Sequence, residues 1–296
     1  MATKSTSVQS WSAHLGLAIG LVSLLSGCLR PPTPARPPVE ASRSVQLPVG
    51  EHLVLGNPSQ AAQTDPDNYL LTKPQFALCF NKSRGIANWV SWHLGPEWRG
   101  AAARTKSFRP DPDLPAGFST IRTADYERTG FDRGHLCPSD DRDNSPTDNA
   151  ATFVLSNVVP QAPLNNRETW KYLEEYARTL VDQGNEVYLT AGPTGVGGDG
   201  EAGSATSIAG GRVTVPAALW KVLLVLPNGT DDLNRIGPNT RVIAVYMPNT
   251  QANPNLPWRR YQLTVNELEQ KTGYHFFTNL PADVQQTLKS QGVQSN

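Results

Sequence analysis

Two short segments of the chain carry side chains suited to phosphate chemistry. The first is Gly130-Phe131-Asp132-Arg133-Gly134-His135, followed by Leu136-Cys137-Pro138-Ser139. Its glycines and Pro138 argue against regular helix, and Gly134 lets the backbone turn sharply or approach something closely. If the segment is extended, Arg133 and His135, two apart, share one face. A fixed cation beside a base that titrates near pH ~6.5 suits a phosphate ester, because one group binds the anion while the other activates a nucleophile. Taken alone, such a histidine also fits a packing or surface role.

The second segment runs Asn165-Asn166-Arg167-Glu168-Thr169-Trp170-Lys171-Tyr172-Leu173-Glu174-Glu175-Tyr176-Ala177-Arg178. Asn165 with Glu168 three residues later has the form of a capping box. At about 100° per residue, Trp170, Leu173, Ala177, Leu180 and Val181 fall on one apolar stripe. Asn166 projects near that stripe in the first turn, and Glu174 and Arg178 lie on its edge, one turn apart. The plainer alternatives are a helix-start residue for Asn166 and a routine i,i+4 ion pair for Glu174 and Arg178, worth about 0.2–0.5 kcal/mol.

Elements able to position these groups can be read from periodicity. Phe76–Phe80 and Asn88–Leu94 alternate and are rich in aromatic and apolar residues, so they read as strands joined by the turn-forming 81–85. Val187–Thr190, Leu219–Leu226 and Arg241–Met247 are further strand candidates, and Ala151–Val159 is a strand or buried run. Helices are expected over Asn166–Asp182, Val265–Gly273 and Leu280–Ser290. Strands outnumber helices without strict alternation, which gives an α+β class. The glycine-rich 192–203 lacks the Gly-Lys-Ser/Thr ending of a phosphate loop and reads as a solvated loop.

Composition sets the outer bounds. The chain has 296 residues, 38% hydrophobic and 18% charged, which excludes a disordered or collagen-like chain. Lys+Arg and Asp+Glu are both 26, so no global basic field marks a polyanion binder, and any such site must be a local cluster.

Near the N-terminus, Leu15–Leu25 is an uncharged run of 11 residues. A spanning helix needs roughly 20, whereas a secretory signal core needs fewer. Lys4 supplies a thin basic leader. The run ends in Leu25-Ser26-Gly27-Cys28, which resembles a bacterial lipobox. Residues 1–27 are therefore expected to be removed as a lipoprotein-type signal peptide and Cys28 to be lipidated; an ordinary cleaved signal is the alternative. Residues 28–44 are Pro-rich and form a stiff linker, and the body spans 45–296. The protein is expected to be exported, periplasmic or extracellular, and membrane-anchored through Cys28. An oxidising compartment would allow Cys79 and Cys137 to pair, with two buried thiols as the alternative.

The two chemical segments, with Ser156-Asn157-Val158-Val159-Pro160-Gln161-Ala162-Pro163-Leu164 between them, resemble the DNA/RNA non-specific endonucleases, the sugar-nonspecific nucleases with a ββα-metal (His-Me finger) site. Asn88–Trp92 and Arg104–Asp111 upstream, and Val215–Lys221 and Thr272–Phe277 downstream, extend the resemblance from about residue 75 to residue 288. It implies a mostly antiparallel central sheet flanked by helices. It also implies roles: His135 as general base, Asn166 as the metal-ligating amide, and Glu174 as the acid that holds the metal's water shell. Arg104 and Arg178 would clamp the phosphate, and Asp132 and Arg133 would support the site. The implied cofactor is Mg²⁺, with Mn²⁺ or another divalent cation as substitute. The implied substrates are DNA and RNA, single- or double-stranded, cut to 5′-phosphorylated products, and a protein inhibitor is an expected partner. The rival functions are a non-catalytic nucleic-acid-binding envelope lipoprotein on the same scaffold and a structural envelope lipoprotein without a nucleic-acid role.

Overall fold

The computed structural model describes residues 50–118, 121–251 and 256–292, so the expectations for 1–27, for Cys28 and for the linker 28–44 lie outside the described residues. Three strands open the body: β1 (Tyr69–Thr72), β2 (Ala77–Asn81) and β3 (Ile86–Leu94). All nine residues of β3 are buried, so both of its faces must be covered. A separate strand β4 (Asp132–His135) follows, then α1 (Pro146–Ala151), β5 (Val158–Gln161) and α2 (Lys171–Asp182). The long strand β6 (Asn185–Thr194) is succeeded by two small hairpin pairs, β7 (Gly198–Gly200) with β8 (Gly203–Ala205), and β9 (Ser207–Ile208) with β10 (Val213–Thr214). The chain closes with β11 (Ala218–Pro227), α3 (Asp232–Arg235), β12 (Arg241–Pro248), β13 (Gln262–Leu263), α4 (Val265–Thr272) and α5 (Ala282–Ser290).

Seven strands form one sheet in the order β1-β2-β3-β6-β11-β12-β13, antiparallel throughout. Alternation along the strands sorts the core into two layers. Leu78, Phe80, Val90, Trp92, Leu189, Leu219, Leu223 and Val245 face one side, where Leu136, Val158, Trp170, Leu173 and Ala177 pack on them. Cys79, Trp89, Tyr188, Trp220, Val222, Leu224 and Ala244 face the other, under Leu268, Phe276, Val284 and Leu288. The first side therefore carries β4, β5 and α2, and the second carries α4 and α5. This is the expected α+β class with an antiparallel sheet flanked by helices.

The two-layer arrangement decides between the two alternatives for Cys79 and Cys137. Cys79 belongs to the second layer and Cys137 to the first, so a sheet lies between them and both are buried free thiols. Burial pushes the Cys79 thiol up to about 11 and the Cys137 thiol up to about 12.

Other local expectations also shift. The stretch 151–159 is buried but is a strand only at its end. It leaves α1, makes a tight turn at Leu155–Asn157 and then enters β5. The glycine-rich 192–203 is not a solvated loop: β6 runs to Thr194, and Gly198 and Gly200 are buried in the β7–β8 hairpin. That hairpin lies against the turn before β4, where Glu201 N donates to Gly130 O at 2.8 Å. A Cβ on Gly200 would stand 2.6 Å from Gly130 O, so this close approach requires glycine. The helix expected over 166–182 exists, but it opens in a wider π-type turn, Asn165–Trp170, and is α-helical only from Lys171.

Candidate active site

Strand β4 ends in His135, and its pairing with β5 places Asp132 opposite Gln161 and His135 opposite Val158. Any side chain at position 134 would drive into the side chain of Gln161, which is why glycine stands between Arg133 and His135. Beyond His135 the backbone is held by Asn157. Its Oδ1 accepts from Cys137 N at 2.9 Å, its Nδ2 donates to Cys137 O at 2.8 Å, and its own carbonyl accepts from Leu136 N at 2.9 Å.

The imidazole is fixed by aromatic packing. Its centroid lies 5.1 Å from the ring of Phe108 and 4.7 Å from that of Phe153. The two phenylalanines are brought together because Arg109 N donates to Phe153 O at 3.0 Å and Leu155 N to Arg109 O at 2.9 Å. Each phenyl ring also carries a guanidinium: Arg133 stands 4.8 Å over Phe108, and Arg104 stands 5.2 Å over Phe153. Arg133 and His135 do share a face. Burial of the ring, with Arg104 and Arg133 adding like charge, lowers the His135 pKa to about 3. The imidazole is therefore uncharged at neutral pH, and its Nε2 is enclosed without a hydrogen-bond partner.

Asn166 lies in the π-type turn that follows β5. Its Nδ2 donates to Asp132 Oδ2 at 2.8 Å. Asp132 in turn accepts from Arg167, Nε at 2.9 Å and Nη2 at 2.6 Å, a forked pair that fixes the carboxylate. The turn itself is tied to the end of β12: Asn249 Oδ1 accepts from Ala162 N at 2.7 Å, and Gln251 Oε1 accepts from Leu164 N at 2.8 Å. The capping box expected at Asn165 and Glu168 does not form. Asn165 instead accepts from Gln161 Nε2 at 2.6 Å and donates to Pro248 O at 3.2 Å, because the wide turn leads it inward.

Glu174 and Arg178 lie on α2, and their closest charged partners lie elsewhere. Lys221 Nζ, fully buried on β11, stands 3.5 Å from Glu174 Oε1 and 4.2 Å over the ring of Trp170. Arg178 Nη1 donates to Asp141 Oδ1 at 3.0 Å, and Asp141 Oδ2 accepts from Trp92 Nε1 at 3.0 Å. The routine i,i+4 pair is thus replaced by two cross-element pairs. Burial raises the Glu174 carboxyl to about 7, against the pull of Lys221 and Arg178.

The adjacent Asp140 and Asp141 bring the two clamp candidates toward one turn. Arg104 donates to Ser139 Oγ and lies 3.6 Å from Asp140, while Arg178 is held by Asp141. Arg104 is half exposed, whereas Arg178 is buried. Sequence reasoning passed over Phe108, Phe153 and Asp141 as site residues and cited Lys221 only within a wider likeness. Aromatics and an acid in irregular loops carry no periodic signal. A lysine inside an otherwise apolar strand is the one signal that could have been used.

A hydrated divalent cation suits these side chains. The carboxylate of Asp132 can only accept, so it binds the NH₂ end of the Asn166 amide and leaves the amide oxygen as the available ligand. Such an ion keeps most of its waters and needs few protein donors. Among the described residues, the groups of three His, Cys, Asp or Glu side chains close enough to share an ion lie elsewhere, around His93.

Residues 57–283 match the family model described as DNA/RNA non-specific endonuclease. A nuclease of Nostoc sp. is 45% identical over 279 residues, 94% of this chain and 97% of that protein. Human mitochondrial endonuclease G is 31% identical over 219 residues, 72% of this chain and 71% of the relative. The crystal structure of the EndoG/EndoGI complex superposes with a TM-score of 0.67 at 24% identity, covering 83% of this chain and 98% of that one, a likeness of fold. With the matched region spanning most of the body and relatives above 30% identity covered along most of their length, the chain belongs to the DNA/RNA non-specific endonuclease family and is an endonuclease.

Proposed function

We propose that the protein hydrolyses internal phosphodiester bonds of DNA and RNA, with His135 as general base and Asn166 as the protein ligand of Mg²⁺. The observation that carries this reading is the uncharged, packed imidazole at the end of a strand whose Asp132 orients the Asn166 amide. His135 takes the proton of an attacking water as it adds to phosphorus, a role open only to the neutral ring. Arg104, half exposed over Phe153, offers its fork to the phosphate oxygens, and Arg178, held by Asp141, adds charge from beneath. Glu174 orients water around the ligand amide. The bound cation would supply charge relief at phosphorus and at the departing oxygen. Departure of the 3′-oxygen leaves a 5′-phosphorylated product. Contacts to phosphate rather than to bases suit attack on both DNA and RNA.

In the same reading the chain is exported and tethered by a lipid on Cys28, which keeps the nuclease at a periplasmic or extracellular membrane surface. The EndoG/EndoGI neighbour supports a protein inhibitor as a further partner. The decisive assay incubates purified protein with plasmid DNA and with RNA, with Mg²⁺ or Mn²⁺ and with EDTA. Cleavage of both polymers that EDTA abolishes is expected. Binding without cleavage would instead establish the non-catalytic binder.

A further inference from the structure

His93 lies on β3 and points to the opposite side of the sheet from Trp92 and α2. Both ring nitrogens face carboxylates. Nε2 is 3.0 Å from Glu186 Oε2, and Glu186, itself buried, is also held by Arg235. Nδ1 is 3.4 Å from Glu97 Oε1 and 3.7 Å from Glu51 Oε1. Tyr188 stacks against the ring at 4.6 Å between centroids. The two carboxylates are supported as well. Trp98 Nε1 donates to Glu51 Oε1 at 2.9 Å, and the Glu97 carboxylate folds over Gly95, where a side chain would collide with it. Neighbouring His52 is already committed: Nε2 pairs with Pro74 O at 2.8 Å and Nδ1 accepts from His93 N at 3.2 Å.

We propose that His93 Nδ1, Glu51 and Glu97 bind a zinc-type divalent transition metal at a structural site distinct from the one at Asn166. Three lines support it. The donor set is mixed, one imidazole nitrogen and two carboxylates, which suits zinc-like ions and not Mg²⁺, whose preference is oxygen and water. The donor atoms all lie within 4.8 Å of one another, and the two contacts to Nδ1 approach the edge of a tetrahedron with bonds of about 2.0–2.2 Å, roughly 3.3–3.6 Å. Most specific is the buried carboxylate on the far nitrogen. Glu186 stands to accept the Nε2 proton, so that once Nδ1 gives up its own proton its lone pair faces Glu51 and Glu97, the usual support of a metal-bound histidine. Water completes the coordination. Binding transfers the charge-balancing role of an imidazolium proton to the metal, and that proton leaves to solvent. The ion would clip the short 3₁₀ turn Glu51–Leu53, the first described element, to the end of β3.

An imidazolium bridging the same carboxylates without any ion is the competing state, and Co²⁺ and Zn²⁺ titrations separate the two. The metal-free full chain, its Asn166→Ala variant and its Glu51→Gln/Glu97→Gln double variant are titrated with Co²⁺ and then with Zn²⁺. One equivalent of Co²⁺ should give a tetrahedral visible absorption band that Zn²⁺ displaces. The band should persist in Asn166→Ala and vanish in the double variant. Zn²⁺ at a hundredfold excess over its dissociation constant should raise the unfolding midpoint by about 5–10 °C, and the double variant should lose that gain. Nuclease activity with Mg²⁺ should be unchanged in the double variant. Absence of the band in the parent protein, or an equal band and equal midpoint gain in the double variant, would overturn the assignment.

Discussion

Asp132 and Asn166 are joined by a single hydrogen bond of 2.8 Å, from amide Nδ2 to carboxylate Oδ2, and this bond determines which atom of the amide remains for a metal. Because the carboxylate is itself gripped by Arg167, the amide cannot rotate without breaking a fixed partner. The contact also couples the two halves of the site, since Asp132 begins the strand that His135 ends.

Asp132→Ala should therefore weaken metal binding about 10–100-fold while leaving the base in place. Calorimetric titration with Mg²⁺, and activity measured against metal concentration, would show the change as a shift in metal requirement with turnover largely recovered at high metal. An unaltered affinity would remove Asn166 from the ligand role.

His135→Ala should lower turnover by about 10²–10⁴-fold with the near-ultraviolet dichroism of the fold retained. The same variant has a stability signature. In the unfolded chain the imidazole takes a proton near pH 6.5, but in the folded protein it does so only near 3. The unfolded state therefore binds more protons between these values, and stability falls as pH drops from 6.5 toward 3. Removing the imidazole should flatten that part of the stability curve, measurable by urea unfolding at pH 4 and 7.

Lys221→Met tests the buried pair beneath the helix. Lys221 is fully enclosed and Glu174 nearly so. Without the ammonium, the folded carboxyl should titrate higher still than its present value of about 7. A raised acid loses stability as pH rises from its unfolded value toward its folded one. The variant should thus be little weakened near pH 5 and weakened by about 3 kcal/mol near pH 9. Denaturant midpoints in EDTA at the two pH values would report it; equal losses at both would contradict the pairing.

Arg104→Ala removes a half-exposed cation from above Phe153. Affinity for single- and double-stranded polymers should fall alike, and the dependence of log affinity on log salt should lose about one unit of slope. A loss confined to particular base sequences would mean that Arg104 reads bases rather than phosphate.

Cys28→Ser probes the tether. The variant should move from the membrane pellet to the soluble fraction of an expressing cell while keeping its activity. Persistent membrane partitioning would refute the lipid.

Residues 130–135 and 165–178 were legible because their chemistry is local: a glycine, an arginine and a histidine in fixed order, and an apolar stripe at helical spacing. The strands at 76–80, 88–94, 219–226 and 241–247 were legible because alternation follows from a pleated sheet with two covered faces. The π-type turn was not, because the segment leading into it is held by Asn249 and Gln251, which lie more than eighty residues later. Nor was the half-buried hairpin at 198–205, where Gly200 is required by a close approach to Gly130 and Gly198 by one to Asn249.

The linear order of residues thus determined the family and the fold class, since each depends on residue types and patterns within short windows. Only the folded chain decided who partners whom. It placed Cys79 and Cys137 on opposite sides of a sheet, gave Glu174 to Lys221 and Arg178 to Asp141, and packed His135 between Phe108 and Phe153. Those pairings depend on register and layer packing, where contacts between distant segments compete for the same buried volume and no local pattern records the winner.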